Sequence, residues 1–423
     1  MTIEPQYVGR MRLAVISYHS SPLHEPGAGD AGGMTVYVRE LAHALAELGV
    51  ATDIFTRASG DEDRATRLGD GVRVVPVEAG PREMLAKEEL GDHLGDFVAG
   101  VRGYATAQRV RYDLVHSHYW QSGLAATALA AAWATPLVHS NHTLAMVKNS
   151  FLPPGDPPEP LARIAGERRV IAASDVLIAS ADEEWEHLSC LYGTPHDRLK
   201  VLHPGVDHSR FSPGDRDAAR AALGLGVDEE VLLYVGRIQP LKGLDLAVRA
   251  LAVARDDGAR VPRLIAVGGE SGRNGEGEIA RLRALARDLG VGDRVAFVGP
   301  KPHGELPELY RAADVVVVCS HTESFGFAAL EAHACGVPVV GTAVGGLSHI
   351  VKNGESGFLL RSRDPRALIT KVRALLDDRA RRAEFARAAE SRAALFSWDA
   401  SAAGFLELYE CLMRETSPEV CTC

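Results

Sequence analysis

No window of this chain is apolar for long enough to cross a bilayer, and nothing near its start reads as a secretory leader. Met1–Arg10 is polar, and the apolar stretch that follows is only a strand long. Positive charge is not in excess either. Lys and Arg number 46 against 56 Asp and Glu, a formal net charge of −10, and no Lys/Arg-rich run occurs. That balance argues against nonspecific nucleic-acid binding, which needs clustered cations. Cysteine is sparse. Cys190, Cys319, Cys335, Cys411, Cys421 and Cys423 match no zinc spacing, and a chain of 423 residues needs no disulfide framework. No His-x-x-x-His or paired acid offers a catalytic metal geometry. Asp61-Glu-Asp63 and Asp215-Arg-Asp217 have the D-x-D form, but both lie in polar, turn-like segments. These absences lead to the expectation of a cytoplasmic protein with no membrane, nucleic-acid or metal partner.

Aromatics make up only 6% of the chain, while alanine, glycine and arginine are common, a composition that suits an α/β enzyme. The pattern agrees. Short β-branched runs alternate with helical periods, the signature of parallel sheets flanked by helices. Arg12–Tyr18 is an apolar run, and Met34–Leu48 follows with Val38, Leu41, Leu45 and Leu48 at helical spacing. Strands are predicted at Ala51–Phe55, Val72–Val77, Tyr112–Ser117, Pro136–Ser140, Val176–Ala179 and Lys200–Leu202. The segment 203–214 carries two Pro-Gly turns and no period, and the pattern then restarts. Its strands are predicted at Val231–Val235, Leu264–Val267, Val295–Val298, Val315–Val318 and Val337–Val340. Two doubly wound lobes are therefore expected, with ligands in the cleft beyond the carboxyl ends of their strands.

The chemistry-bearing residues fall in such loops. Pro26-Gly-Ala-Gly-Asp-Ala-Gly-Gly33 leads into the helix at Met34 and contains G-x-G-x-x-G at Gly27, Gly29 and Gly32. With Asp53 at the acidic distance of a dinucleotide fingerprint, an NAD-dependent oxidoreductase is one reading. The fingerprint needs its first glycine tight against the strand end, whereas His19–Pro26 intervenes here. A glycine loop at a helix N-terminus still suits an anion, through free N–H groups and the helix dipole. After the Val231–Val235 run come Arg237 and Lys242, with a helix expected to start at Lys242-Gly243. Two cations there can grip a diphosphate, arginine as a fork and lysine as a point charge. Ser320-His-Thr-Glu323-Ser-Phe-Gly326 follows the Val315–Val318 run, and Glu331 lies on the helix behind it. A carboxylate there can hold ribose hydroxyls, and the N–H groups of Ser324, Phe325 and Gly326 can face sugar or phosphate. Read as an isolated residue, Glu331 is equally an ordinary helix-surface acid. His19, Lys87, His116-Ser-His-Tyr-Trp120, Asn141-His142-Thr143 and Arg163 complete the polar set, each with a structural reading beside the functional one.

Taken together, these motifs resemble the retaining glycosyltransferases of family 4, which have the two-lobed GT-B fold. The resemblance runs from Met11 to about Leu412. Within that family the chain looks most like the mycothiol-biosynthesis branch, through 19–34, Ala86-Lys-Glu-Glu-Leu90, 116–120 and Leu144 to Ser150. The resemblance implies an α/β, GT-B fold of two doubly wound, Rossmann-like lobes facing across a cleft. Residues 11–203 would be the acceptor lobe, 204–395 the nucleotide-sugar lobe, and 396–414 a helix crossing back. It implies transfer from an NDP-sugar, UDP-N-acetylglucosamine first, to a small anionic acceptor, myo-inositol phosphate first. Gly33, Arg237, Lys242, Lys301, Glu323, Ser324, Phe325, Gly326 and Glu331 would bind donor. His142 would sit beside the donor sugar, with Arg237, Lys242 and Glu323 as its catalytic company. Lys87, Tyr119, Thr143 and Arg163 would clamp the acceptor anion, with His19, Asp30, Met34 and Thr35 at its ring.

Three positions depart from that branch. Thr35 replaces an asparagine, Lys301 an arginine near the donor base, and Val337 a threonine associated with a structural magnesium near Tyr310, Arg311 and Ala313. The alternative is a paralogue of secondary metabolism, using another, GDP-linked sugar and a carboxylate- or thiol-bearing acceptor such as ergothioneine. No cofactor is required in either case, and a homodimer is the family expectation.

Overall fold

The structure, a computed structural model, describes residues 11–27, 32–60, 64–271 and 277–416. Eight strands form the first sheet: β1 (Arg12–Ile16), β2 (Ala51–Arg57), β3 (Thr66–Gly69), β4 (Val72–Val77), β5 (Leu114–His118), β6 (Leu137–Ser140), β7 (Val176–Ala179) and β8 (Leu199–Val201). Their order is β3-β4-β2-β1-β5-β6-β7-β8, parallel except where β3 meets β4. Six form the second: β9 (Val231–Val235), β10 (Arg263–Val267), β11 (Val295–Gly299), β12 (Val315–Val318), β13 (Val339–Thr342) and β14 (Gly357–Leu360). Their order is β11-β10-β9-β12-β13-β14. The α/β class with two doubly wound, Rossmann-like lobes is the one expected from the sequence.

The strands β1, β9, β10, β12 and β13 are near-continuous apolar runs because both faces of the sheet are covered by helices there. Leu13, Leu114, Val316 and Val339 are fully buried. In each sheet the chain winds outward in both directions from a central strand. From β1 it goes to β2 on one side and β5 on the other; from β9 it goes to β10 and β12. Crevices open at such reversals, outside the carboxyl ends of the strands. The loops after β1, β5, β9 and β12 are those that hold His19, Tyr119, Arg237 and Glu323.

Two strands escape sequence reading. β3 is a short, exposed edge hairpin arm, and β14 a four-residue run, Gly-Phe-Leu-Leu, with no β-branched residue. A third expectation shifts. The helix assigned to Lys242-Gly243 starts at Asp245, because Gly243 adopts φ +62° and separates it from a single 3-10 turn over Pro240–Lys242. The last helix, Trp398–Thr416, packs on the first sheet: Trp398, Phe405 and Tyr409 share a core with Leu13, Tyr37 and Leu45.

Candidate active site

A cleft of about 1250 Å³ lies between the lobes. Two helices meet it end-on, Gly33–Glu47 and Phe327–Ala334, and each has a glycine at its N-cap with no side-chain cap. By contrast, Asp215, Asp364 and Asp378 cap helices elsewhere with their carboxylates. The third N–H of each helix bonds its N-cap carbonyl (Thr35 to Gly32, Ala329 to Gly326), which leaves the N–H groups of the first two residues open to a ligand. The backbone comes close there. A Cβ on Gly33 would stand 3.0 Å from the Phe327 ring across the cleft. Behind the Glu323 loop, Gly345 adopts φ +52° and a Cβ there would collide with the Glu323 carbonyl at 1.5 Å. This glycine shelf was not singled out in the sequence, although Val344-Gly-Gly after a strand was its signal.

On the second lobe, Lys242 Nζ donates to Glu323 Oε2 at 2.6 Å, and Ser320 Oγ donates to the same oxygen at 3.0 Å. The Arg237 guanidinium lines the cleft and, among the described residues, meets no carboxylate. Ser324, Phe325, Gly326 and Lys301 line it too; Lys301 Nζ lies 3.5 Å from Glu305. Ser324 Oγ donates to the carbonyl of His142, tying the two lobes together. Glu331 is no surface acid: it is 5% exposed. Its Oε2 accepts from Tyr310 Oη at 2.8 Å and its Oε1 from His303 Nε2 at 2.7 Å.

On the first lobe, Arg163 is 6% exposed and heavily engaged. Its Nε donates to Glu167 Oε1 at 2.8 Å and its Nη2 to Thr143 Oγ1 at 2.9 Å, while Nη1 lies 3.0 Å from Glu159 Oε2. Burial works against its charge; Tyr119, Glu167 and Glu159 outweigh it and hold its pKa above the ordinary value. Lys87 and Arg163 both sit over the Tyr119 ring, at 5.8 and 5.0 Å. Tyr119 itself has φ +75° and ψ 152°, a region adopted almost only by glycine, at a cost of roughly 1–3 kcal/mol. Such strain at a cleft wall is characteristic of a site where ring placement matters. His142, at φ +60°, shares the strain. Its Nε2 is 2.9 Å from His118 Nδ1. Burial first, then His139, pushes its pKa down to about 3, so His142 is a neutral hydrogen-bonding group with no charge to contribute. His19 is held neutral too, by burial and then by Lys87.

The cleft gathers His19, Gly33, Met34, Lys87, Tyr119, His142, Thr143, Arg163, Arg237, Lys242, Lys301, Glu323, Ser324, Phe325, Gly326 and Glu331. Thr35 is the exception. It is fully buried, its hydroxyl bonded to Ser20 Oγ at 2.9 Å, because it falls on the core face of its helix. Asp30, Asp61, Asp63, Cys421 and Cys423 lie outside the described residues. Sequence reading passed over His303 and Glu159, which line the cleft, and quoted Ser320, which bonds Glu323, and His118, which holds His142, in their motifs without giving either a role. The dinucleotide reading fails on Asp53, which is 4% exposed and taken by Arg73 at 2.7 and 2.9 Å and by Tyr112 at 2.7 Å. Asp215 of the second D-x-D is a helix cap. Near the magnesium position of the resemblance, the Tyr310 carbonyl accepts from Ala313 N–H at 3.0 Å and the Arg311 guanidinium bonds Ser212.

Comparison with known proteins agrees with this geometry. Residues 32–205 match the glycosyl transferase 4-like domain, and residues 215–392 match the glycosyl transferases group 1 family. The chain is 48% identical over 402 residues to "D-inositol 3-phosphate glycosyltransferase 2" of Catenulispora acidiphila, covering 94% of each chain. It is also 48% identical to the D-inositol 3-phosphate glycosyltransferase of Acidothermus cellulolyticus, covering 96% of this chain and 91% of that one. Among solved structures, sucrose-phosphate synthase from Thermosynechococcus elongatus superposes with a TM-score of 0.89 at 32% identity, covering 96% of this chain and all (100%) of that one. Anabaena HepE, solved with UDP and glucose, has a TM-score of 0.75 at 20% identity and covers 95% and 100%, a likeness of fold.

Proposed function

Since the chain belongs to the glycosyl transferases group 1 family with the GT-B fold, we propose that it moves a sugar from UDP-N-acetylglucosamine to a myo-inositol phosphate with retention of anomeric configuration. One observation carries the proposal. A cationic grip on the second lobe (Arg237, Lys242) faces an anion clamp on the first (Lys87, Tyr119, Thr143, Arg163) across a single cleft. A diphosphate donor and a small anionic acceptor are the pair that such a cleft can hold, and the D-inositol 3-phosphate transferases similar to this chain take their name from such an acceptor.

In the proposed reaction the anomeric carbon–oxygen bond to the diphosphate breaks as the acceptor oxygen adds on the same face. The leaving diphosphate takes the acceptor proton. Arg237, Lys242 and the open N-termini of the two cleft helices stabilise the departing charge, which is electrostatic catalysis by groups already in place. Glu323, held by Lys242 and Ser320, is positioned as an acceptor for donor-sugar hydroxyls. Neutral His142 adds a hydrogen bond without charge.

One observation favours a second reading. Thr35, at the position of an acceptor-ring contact in the resembling branch, is turned into the core. The ring pocket therefore differs, which suits another small anionic acceptor, bearing a carboxylate or thiol, and another NDP-sugar, including a GDP-linked one.

A thermal-shift panel of UDP, GDP and dTDP separates the two, because a ligand that binds only the native state raises its melting temperature. Selective stabilisation by UDP is expected, followed by turnover of UDP-N-acetylglucosamine with inositol phosphate. Selective stabilisation by GDP would replace the first reading with the second. Stabilisation by none of them would remove both.

A further inference from the structure

We propose that His303 is a positioning residue for Glu331, and that through it the first helix of the N-terminal lobe is coupled to seating of the donor ribose. The inference rests on the donor reading above, in which Glu331 accepts the ribose hydroxyls.

His303 follows β11 and is 5% exposed. Its Nδ1 lies 3.1 Å from Arg210 Nη1 and 3.3 Å from Arg39 Nη2. A guanidinium N–H can only donate, so Nδ1 is the acceptor. The ring proton is therefore on Nε2, from which it donates to Glu331 Oε1 at 2.7 Å. The two arginines thus set the tautomer, and the tautomer sets which way the carboxylate is held. Each carboxylate oxygen has two lone pairs. His303 fills one on Oε1 and Tyr310 fills one on Oε2. One remains on each oxygen, a match for the two vicinal hydroxyls of a ribose.

The partners of this histidine come from both lobes. Glu331 and Arg210 belong to the second. Arg39 lies on the helix Gly33–Glu47 of the first, the helix whose N-terminus opens on the cleft. Arg39 is itself steadied by Glu40, at 3.1 Å from its Nε. The main-chain N–H of His303 also donates to Glu25 of the first lobe, at 3.3 Å. One imidazole residue therefore touches the ribose carboxylate at one atom and the opposite lobe at two others. Arg39 does not line the cleft; it reaches Glu331 through His303, directly at Nδ1 and also by way of Glu40, which lies 3.8 Å from Arg210.

The test uses the full chain and titration calorimetry with UDP and 2′-deoxy-UDP, or GDP and 2′-deoxy-GDP if the thermal panel selects guanosine. Wild type should prefer the ribonucleotide. Arg39→Met should weaken the ribonucleotide about fivefold to tenfold, the effect of one hydrogen bond, and the 2′-deoxy form much less. Donor KM should rise in step while kcat at saturating donor stays within about twofold, and Arg39→Lys should restore part of the preference. His303→Gln, which keeps an N–H for Glu331, should fall between wild type and His303→Phe. Should His303→Phe fail to fold, the Arg39 pair decides alone. Equal losses for ribo and 2′-deoxy ligands, or none in Arg39→Met, would overturn the coupling while leaving the donor reading intact. Wild type binding no nucleoside diphosphate would overturn both.

Discussion

Arg163 shows how a residue's neighbours can reverse expectation. As an isolated cation in a helix it reads as a ready anion ligand. In the structure it already faces two carboxylates, Glu159 and Glu167, and Glu167 is further held by Tyr192 Oη and the Ala145 N–H. Glu167 is therefore part of the frame, whereas Glu159, also paired with Lys148, sits in the Pro-rich cleft wall of 153–160. An acceptor anion must compete with Glu159 for the Arg163 Nη1 edge. Glu159→Gln is then expected to lower the acceptor KM by about threefold to tenfold, and Arg163→Ala to raise it by at least tenfold with donor affinity kept, on the scale of a charge-assisted hydrogen bond. Steady-state kinetics with the acceptor varied would measure both. A Glu159→Gln enzyme with a raised acceptor KM would show that this carboxylate holds the acceptor and does not compete with it. His118 was read only as part of its motif because its role comes through His142 on another loop, and Glu159 went unseen because its pairing with Arg163, four residues on, matters only once burial is known.

The helix Gly33–Glu47 carries three duties along its length. Its N-terminus faces the cleft, its middle sends Arg39 to His303, and Tyr37, Leu41 and Leu45 bury against the first sheet. The apolar period of that last face was readable in the sequence, as were its glycine start and Gly49 stop. The reach of its first turn was not. Gly33 stands 3.0 Å, by its would-be Cβ, from Phe327, whose ring stacks on Trp398. Gly33→Ala should push the two helix N-termini apart by a few tenths of an ångström and lower kcat/KM for the donor about tenfold or more, as misplaced catalytic groups do. Adding Phe327→Leu should recover part of that loss, since a smaller side chain yields the space. Kinetics on the single and double variants decide it, and an additive double variant would place the defect elsewhere. The shift of the next helix start from Lys242 to Asp245 has a related cause: Gly243 in the left-handed region breaks the turn so that Lys242 can meet Glu323.

Across the whole molecule, neutral histidines lie deep in both lobes. His116, His118, His139 and His333 are at most 1% exposed. Burial, in each case the largest cause, lowers their pKa values, to about 3 for His139 and His333 and well below the ordinary value for the other two. In the unfolded chain they titrate near 6.5. Between those values the unfolded state binds more protons, so stability rises with pH and is lost as pH falls from about 6.5 toward 3. Each such histidine takes away up to about 1.4 kcal/mol per pH unit in that window. Melting curves at pH 7.5, 6 and 5 should show a steep fall in melting temperature below pH 6. A flat profile to pH 5 would mean that these rings are protonated in the fold. His116 also binds the last helix, with Nδ1 2.8 Å from Tyr409 Oη, so acid should loosen the strut that packs on the first sheet.

Much of this protein is legible without coordinates, and for local reasons. Strands β4, β7, β9 and β12 are read to the residue because a buried parallel strand is a short, mostly apolar run rich in valine, visible within a few positions even where Arg73 and Pro76 interrupt β4. Loop placement follows, because a doubly wound sheet puts its crevice where the strand order reverses. Among the described residues, the donor and acceptor candidates therefore fell in one cleft, Thr35 excepted. What the tertiary structure alone decided is which of those groups are already spoken for. Asp53 belongs to Arg73, Arg163 to Glu159 and Glu167, and Glu331 to His303 and Tyr310. Asp53 with Arg73, and Glu331 with His303 and Tyr310, join different elements, and His303 also meets Arg39 of the other lobe, while Arg163 meets acids four residues away on either side that only burial makes decisive. Their energetics depend on burial and distance, which residue identity and spacing do not encode.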